Sequence, residues 1–328
     1  MNWEALMRSH PWMLGLLGLF ALCVAQPLAA AERPVEIPGP LAPLRGLLSP
    51  SPAKPPRVAV IIPGSGPTDR DGNNPLGVKA ATYRLLAEGL VAEGIATIRY
   101  DKRGMFASRG AIADADAVTL AEYGRDAHEW ASLAARETGA PCVWLIGHSE
   151  GGLVALIAAE NKKDICGLIL IAAPGRRAAD VLRDQLRANP ANAPILPQAL
   201  AAIEALEAGR RFDTTGMPAV LDPLFRPSVQ GFLIDLFARD PAALAAAYEG
   251  PLLIISGGRD LQVGRIDGDL LAKGNKHAKQ LVIPNMNHVG KPVGSDSPTA
   301  NLATYGDPNL PLAADLVKSI GDFIVMNK

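Results

Sequence analysis

The sequence has almost no net charge and no long acidic or basic run. Its 32 Lys and Arg residues nearly balance 33 Asp and Glu residues, which leaves a formal net charge of −1. Such a chain lacks the basic surface that attracts nucleic acid or anionic membranes. It also lacks a Gly-rich phosphate loop and any His/Cys cluster with metal-ligand spacing. We therefore expect no nucleic-acid partner, no cofactor and no metal.

What the sequence does contain is enough apolar material for a large core. Hydrophobic residues make up 48% of the 328 residues, and only 20% are charged. This composition is typical of a folded chain with one large domain or two small ones. No internal repeat is visible, and no feature of the sequence indicates the oligomeric state.

The only long hydrophobic run lies at the amino terminus. Residues 12–25 are apolar and follow an arginine, but the run is too short to span a bilayer comfortably. An A-x-A cleavage pattern ends at Ala31, so residues 1–31 are predicted to be a secretory signal peptide. The alternatives are an uncleaved anchor or lipid attachment at Cys23, which a bulky preceding residue disfavours. We expect a periplasmic or secreted protein with no stable membrane partner after signal removal.

Cysteine is scarce, and removal of the signal would leave only Cys142 and Cys166. An even count in an oxidising compartment permits a disulfide, and each cysteine begins one of two predicted strands that could be neighbours. Small cysteine side chains also pack well at strand starts. We favour buried free thiols, with the disulfide as the alternative.

From residue 57 onward, strand-like and helical patterns alternate. Predicted strands cover 58–62, 95–99, 142–146, 167–172, 252–256 and 280–283, and predicted helices cover 79–93, 119–137, 153–159 and 312–326. Alternation of this kind predicts an α/β fold with a mostly parallel sheet flanked by helices. In such sheets, ligands bind beyond the carboxyl ends of the strands.

Two segments depart from the alternation. Residues 32–56 are rich in proline, which is typical of a linker, although short edge strands remain possible there. Residues 176–248 show only helical apolar spacing. We predict that 176–248 is a helical cap inserted into a core formed by 32–175 and 249–328.

The pattern G-x-S-x-G occurs between a predicted strand and a predicted helix. Its glycines, Gly147 and Gly151, flank Ser149. A strand that turns at once into a helix brings backbone against backbone, and glycine permits that approach. The pattern therefore predicts a tight turn that exposes the Ser149 hydroxyl as a nucleophile.

A serine nucleophile needs a base, and the chain offers five histidines. Only His288 follows a predicted strand and so reaches the carboxyl edge of the sheet. His10 lies in the signal, His128 lies within a helix and His277 precedes the strand. His148 lies inside the turn, where its ring is expected to point away from the serine. His288 is the predicted base.

The acid that orients the base should follow another strand. Asp260 lies in a Gly-rich turn directly after the predicted strand 252–256. Its competitors are Asp240 in the cap and Asp267 and Asp269 in a helical pattern. An ordinary helix N-cap is the alternative role for Asp260. We predict Asp260 as the acid.

The negative oxygen of a tetrahedral intermediate needs backbone donors. We expect one from the N–H of Glu150, at the start of the helix after the serine. The second should come from the loop after strand 58–62, with Ser65 first and Gly66 as the alternative. The polar stretches 68–73 and 100–104 lie at the same edge and are as consistent with turn and loop bracing as with substrate contact.

Several motifs together resemble the α/β-hydrolase superfamily, most closely a branch of bacterial secreted esterases grouped with serine aminopeptidase-like hydrolases. The resemblance covers 35–328 and rests on PGSGPTDRDGN (63–73), RYDKRG (99–104), GHSEG (147–151), GGRD (257–260) and NH (287–288). It implies an α/β-hydrolase fold with an antiparallel edge made by 35–37 and 44–48. It also implies a Ser149–His288–Asp260 triad that acts on short acyl esters. The loop at 63 begins Pro-Gly where this superfamily often has His-Gly.

The expected function is hydrolysis of carboxylic esters of small acyl groups. The same residues could act as a peptidase, amidase or thioesterase, and a non-catalytic binding protein is a further alternative. Phe232, Leu236 and Phe237 of the cap are either an acyl-pocket wall or core packing. A peptidase would need an acidic group near the site for a free amino terminus, with candidates among Glu204, Glu207 and Asp213.

Overall fold

The computed structural model describes residues 31–327, so the predicted signal peptide lies outside the described residues apart from Ala31. Strands in this range are β1 (Arg33–Ile37), β2 (Leu44–Ser49), β3 (Val58–Ile62), β4 (Asn73–Asn74), β5 (Val78–Lys79), β6 (Ala96–Tyr100), β7 (Val143–His148), β8 (Ile165–Ile171), β9 (Leu252–Gly257) and β10 (Ala278–Ile283).

Helices in the same range are α1 (Thr82–Ala92), α2 (Leu120–Thr138), α3 (Glu150–Ala158), α4 (Ala178–Ala188), α5 (Leu196–Glu207), α6 (Asp222–Phe225), α7 (Gln230–Ala238), α8 (Pro241–Ala247), α9 (Arg265–Lys273), α10 (Pro298–Ala303) and α11 (Ala314–Met326). Among them, no helix is both long and apolar enough to cross a membrane.

One eight-stranded sheet organises the molecule, in the order β1-β2-β6-β3-β7-β8-β9-β10. Strand β3 and strands β6 to β10 run parallel to one another, whereas β1 and β2 form an antiparallel edge. The mostly parallel sheet and the antiparallel edge implied by the resemblance are both confirmed.

The order in which the chain adds strands to the sheet reverses at β3. Strand β3 pairs with β6 on one side and with β7 on the other, because the chain goes outward to β6 and then returns to β7. Ligands in open parallel sheets bind outside the carboxyl ends of the strands at such a reversal. The loop after β3 and the turn after β7 meet at this position.

Both faces of the sheet are covered by helices. In β3, Val58, Val60 and Ile62 face the layer that contains α2 and α3, whereas Ala59 and Ile61 face the layer of α1 and α11. Burial on both faces explains why the parallel strands have continuous apolar sequences instead of an alternating pattern.

Local signals set the ends of several helices. A capping box begins α2: Thr119 Oγ1 accepts the N–H of Glu122, and the Glu122 carboxylate accepts the N–H of Thr119. Helix α1 begins at Thr82 and not at Lys79 as expected. The reason is that Lys79 pairs within the β4–β5 hairpin and Ala81 has a left-handed backbone conformation.

The preference for free thiols is wrong, because Cys142 and Cys166 form a disulfide with their Cα atoms 5.1 Å apart. The two cysteines stand at the amino ends of the neighbouring parallel strands β7 and β8. Val143 pairs with Ile165 and the next residue of β7 pairs with Gly167, so the register shifts at this step. This bulge leaves Cys166 without a residue opposite it, beside Cys142.

Residues 176–248 contain α4 to α8 and no strand. Apolar side chains of this segment form a cluster separate from the two layers on the sheet, and it includes Ile203, Phe225 and Phe237. The segment is also tied to the core, since Asp235 Oδ2 in α7 accepts the N–H of Leu120, the first residue of α2, at 2.8 Å.

Candidate active site

Ser149 occupies the turn between β7 and α3 with an uncommon backbone conformation. Its φ of 54° and ψ of −124° lie in a region that residues with a Cβ rarely adopt. The N–H of Ser149 donates to the carbonyl oxygen of Ile171 at the end of β8, at 2.9 Å. Ser149 is half-buried, and this hydrogen bond ties its turn to the end of β8.

The two glycines of the pattern permit the close approach that the turn requires. A Cβ on Gly147 would lie 2.2 Å from the carbonyl oxygen of Gly151. A Cβ on Gly151 would lie 2.3 Å from the carbonyl oxygen of Ile62, at the end of β3. Any larger residue at either position would push the turn away from the sheet.

The predicted acid and base are hydrogen-bonded to each other. His288 Nδ1 lies 2.8 Å from Asp260 Oδ2, and the Asp260 side chain is fully buried. The other carboxylate oxygen of Asp260 accepts the N–H groups of Gln262 and Val263 at 2.7 and 2.9 Å. An ionised carboxylate at Nδ1 assigns the proton to that nitrogen and leaves Nε2 as the basic atom.

The competing aspartates have structural partners elsewhere. Asp240 caps α8 by accepting the N–H of Ala243 at 3.0 Å. Asp267 is fully buried and binds the Arg176 guanidinium at 2.9 Å, and Asp269 accepts from Gln280. Of these four aspartates, Asp260 is the one that is hydrogen-bonded to a histidine following a strand.

Of the other histidines, His128 bonds a main-chain oxygen of Lys163 near the surface, and His277 precedes β10 as predicted. His10 lies outside the described residues. Within residues 31–327, Ser149 Oγ makes no hydrogen bond to His288. Free enzymes often show long nucleophile–base contacts that tighten when substrate binds.

The predicted backbone donors lie at the start of α3 and in the loop after β3. The N–H of Glu150 begins α3, and within the described range neither it nor the N–H of Ser65 or Gly66 has a protein acceptor. The oxyanion loop, residues 63–66, passes close to the nucleophile: a Cβ on Gly64 would lie 3.3 Å from the Cβ of Ser149. These free amides can receive a negatively charged oxygen bound at Ser149.

Sequence reasoning missed a buried chain of hydrogen bonds behind the site. The Gly64 N–H donates to Tyr83 Oη at 2.9 Å, and Tyr83 Oη lies 2.9 Å from His148 Nδ1. His148 Nε2 lies 2.7 Å from the carbonyl oxygen of His288. Because the His288 carbonyl can only accept, Nε2 of a neutral His148 carries the proton and donates to it, and Nδ1 accepts the proton of the Tyr83 hydroxyl.

His148 is therefore held as a neutral imidazole. Burial, followed by the neighbouring His288 ring, lowers the pKa of His148 to about 4. Its ring does avoid the Ser149 hydroxyl, as expected, but it contacts the main chain of the predicted base. The signal that could have found this contact is a buried tyrosine on α1 that needs a polar partner.

The charged loops at this edge serve mainly as braces. Asp69 accepts the N–H groups of Asp71 and Asn73, which gives the side-chain-held turn predicted as one alternative. Asp101 pairs with Arg70 at 2.7 Å. In residues 31–327, no group of three or more His, Cys, Asp or Glu side chains is arranged to hold a metal ion.

The sheet order, the serine turn after β7 and the acid and histidine after β9 and β10 define an α/β hydrolase. Residues 76–289 match the family model described as serine aminopeptidase, S33. The chain belongs to this hydrolase family.

The chain is similar to the esterase EstD of Thermotoga maritima, with 30% identity over 239 residues. That match covers 70% of this chain and 53% of EstD, so the chain spans about half the length of this curated relative.

Two solved structures share the fold. The α/β hydrolase GrgF from Penicillium sp. sh18 is 17% identical with a TM-score of 0.58, covering 90% of this chain and 99% of that one. The Pyrococcus furiosus esterase PF2001 is 16% identical with a TM-score of 0.57, covering 90% and 91%. At such identities the likeness shows the fold alone.

Proposed function

We propose that this protein is a serine hydrolase that cleaves carboxylic esters of small acyl groups through an acyl-enzyme. The observation that carries the proposal is the hydrogen-bonded Asp260–His288 pair, which lies at the same sheet edge as Ser149 in its strained turn. The name of EstD as an esterase supports ester hydrolysis over the alternatives.

In the first half-reaction, Ser149 Oγ attacks the acyl carbon while His288 Nε2 takes the hydroxyl proton. The carbonyl oxygen becomes negative and accepts the N–H groups of Glu150 and of Ser65 or Gly66. His288 then donates its proton to the leaving alcohol, and the acyl-enzyme remains. Water repeats the sequence in the second half-reaction and releases the acid.

We propose that the helical segment 176–248 is a cap and that α7 supplies the acyl-binding wall. Phe232 and Leu236 are half-buried, and the Phe232 ring packs edge-on at 6.2 Å from the Tyr123 ring. Phe237, by contrast, belongs to the cap's own core with 2% exposure. A wall made by two side chains and placed near the core suits small acyl groups.

Amide or peptide hydrolysis is the second candidate, and the family description as serine aminopeptidase favours it. The acidic side chains considered for a free amino terminus are engaged or exposed elsewhere. Glu207 pairs with Arg183, Asp213 accepts from Thr215, and Glu204 lies on the surface. We therefore expect an acyl ester to be turned over faster than an aminoacyl anilide, and the reverse order would favour the peptidase.

Ser149→Ala tests the proposed chemistry. We expect the variant to lose hydrolysis of p-nitrophenyl acetate by at least about 10³-fold, because alanine has no hydroxyl to form the acyl-enzyme. Circular dichroism and thermal unfolding should stay like wild type, since alanine fits a position where only Oγ is removed. Retained turnover in the folded variant would remove Ser149 as the nucleophile.

We also propose a periplasmic or secreted location, with cleavage near Ala31. The Cys142–Cys166 disulfide supports an oxidising compartment, where such bonds persist. Amino-terminal sequencing of the exported protein tests the cleavage point. A cytosolic protein that retains residues 1–31 would contradict it.

A further inference from the structure

Both main-chain polar groups of Gly64 are bound by buried side chains, and the Gly64 carbonyl belongs to the Gly64–Ser65 peptide group. The Gly64 N–H donates to Tyr83 Oη, and the Gly64 carbonyl accepts from Lys102 Nζ at 2.6 Å. Lys102 lies two residues after β6, the strand next to β3, and has 3% of its surface exposed. A lysine this deeply buried is unusual and requires strong partners.

The closest partner of Lys102 is this carbonyl, and the Glu150 carboxylate forms a buried ion pair with the same ammonium at a longer distance. Glu150 Oε1 lies 3.6 Å from Nζ, beyond ordinary hydrogen-bond distance, whereas the Gly64 oxygen lies within it. The Tyr123 ring centroid lies 5.3 Å from the ammonium. Burial lowers the pKa of Lys102, and the nearby Glu150 carboxylate opposes that effect.

Peptide planarity connects this contact to the proposed chemistry. The Gly64 carbonyl and the Ser65 N–H belong to one planar trans peptide group, so they point in opposite directions. An ammonium that fixes the oxygen on one side therefore fixes the direction of the Ser65 N–H on the other. Lys102 also lies beside Glu150, whose N–H is the other predicted donor.

We propose that Lys102 is a positioning residue that aims the Ser65 N–H at the negative oxygen of the tetrahedral intermediate. This inference rests on the proposed function and goes one step further, because it assigns the second donor to Ser65 in preference to Gly66. Without Lys102, the Gly64–Ser65 peptide can rotate, and the donor is lost in the transition state while substrate binding is unaffected.

Lys102→Met tests the proposal with two measurements on the full chain. For p-nitrophenyl acetate we expect kcat to fall by about 10- to 100-fold with KM changed less than about twofold, since a misaligned donor costs less than a deleted one. The second measurement is the Kd of a short alkyl trifluoromethyl ketone. Ser149 Oγ adds to the ketone carbon, its proton passes to His288, and the ketone oxygen becomes negative. This Kd should rise in parallel with the loss of kcat.

Two further variants separate positioning from stability and from charge balance. Lys291→Met removes another fully buried lysine that donates to a main-chain carbonyl, that of Leu310. It should lower the melting temperature without weakening ketone binding. The double variant Lys102→Met/Glu150→Gln leaves no buried carboxylate unpaired, which protects folding, and it should remain as slow as Lys102→Met.

The outcomes are distinct. A folded Lys102→Met protein that binds the ketone like wild type would overturn the inference and leave the proposed function intact. Recovery of kcat in the double variant would also overturn it, because Lys102 would then act only by neutralising Glu150. A wild-type protein that neither hydrolyses the ester nor binds the ketone would refute the proposed function, and the inference with it.

Discussion

The strained conformation of Ser149 is maintained by contacts with three neighbouring segments. Its N–H is bound by the end of β8, Gly147 and Gly151 permit the tight crossing, and Gly64 lies against its Cβ. A positive φ at a residue with a Cβ costs on the order of 1–3 kcal/mol and persists only where the surroundings enforce it. Here the surroundings are the carboxyl ends of three adjacent strands.

His148 links this turn to the proposed base, and its neutral state makes stability depend on pH. The pKa of His148 is about 4 in the folded protein, against an ordinary value near 6.5. Between these pH values the unfolded chain binds a proton that the folded chain excludes. The contribution of His148 to the free energy of unfolding should therefore fall by about 3 kcal/mol as the pH drops from 6.5 to 4.

His148→Gln isolates that contribution, because Gln can still donate to the His288 carbonyl and accept from Tyr83. Urea unfolding at several pH values should show that the free energy of unfolding depends less steeply on pH in the variant. The slope between pH 4 and 6.5 should be smaller by the equivalent of about one bound proton. An unchanged slope would mean that His148 titrates alike in both states and is not held neutral.

At the same scale, the sequence identified which residues follow strands but not what lies behind them. Ser149, Asp260 and His288 could be selected because strand ends are visible as breaks in apolar runs. Tyr83 and Lys102 could not, since their contacts depend on how α1 and β6 approach the loop after β3. Such contacts arise from tertiary packing and leave no local pattern.

At the scale of elements, β7 and β8 are joined at one end by the disulfide and at the other by the Ser149–Ile171 hydrogen bond. The disulfide lies at the amino ends of these strands and the serine follows the carboxyl end of β7. The disulfide therefore anchors β7 at its amino end, which is the end opposite the proposed nucleophile.

The double variant Cys142→Ala/Cys166→Ala should destabilise the protein without slowing ester hydrolysis. The bond closes a loop with a sequence separation of 24, and its loss should cost about 3 kcal/mol of unfolding free energy through the entropy of the unfolded chain. Urea unfolding checks the stability, and kcat for p-nitrophenyl acetate should stay within about twofold of wild type. A large fall in kcat with unchanged stability would contradict this separation.

Elements with strong periodicity were predicted well, whereas short ones were missed. Strand β3 has the predicted bounds, and α2 differs from its prediction by one residue at each end. The β4–β5 hairpin and α10 escaped prediction because two-residue strands and one-and-a-half-turn helices have no apolar period. The disulfide depended on a bulge in β8 that alternation patterns do not encode.

At the scale of the whole molecule, the loops at the end of the sheet carry the proposed catalytic residues. We propose that the inserted helices select the substrate. Segment 176–248 has its own apolar cluster, and Ala245 and Tyr248 at its end are buried in the core layer on the sheet. Besides the Asp235 contact with α2, Arg226 binds Asp116 at 2.7 Å.

Phe232 and Phe237 test that division within a single helix. Phe232→Ala should enlarge the proposed acyl wall and shift the preferred p-nitrophenyl ester to longer chains, with little change in melting temperature. Phe237→Ala removes a buried core ring and should cost about 3–5 kcal/mol of stability while the chain-length profile stays unchanged. Identical profiles in all three proteins would place the acyl pocket elsewhere.

The central claim is that Ser149 is a nucleophile activated by the His288–Asp260 pair. The most direct test is peptide mass spectrometry of folded wild-type protein after treatment with a fluorophosphonate, which reacts with activated serines. We predict one adduct, on Ser149, that forms much more slowly in His288→Ala. An adduct on another serine, or none on the folded protein, would contradict the account.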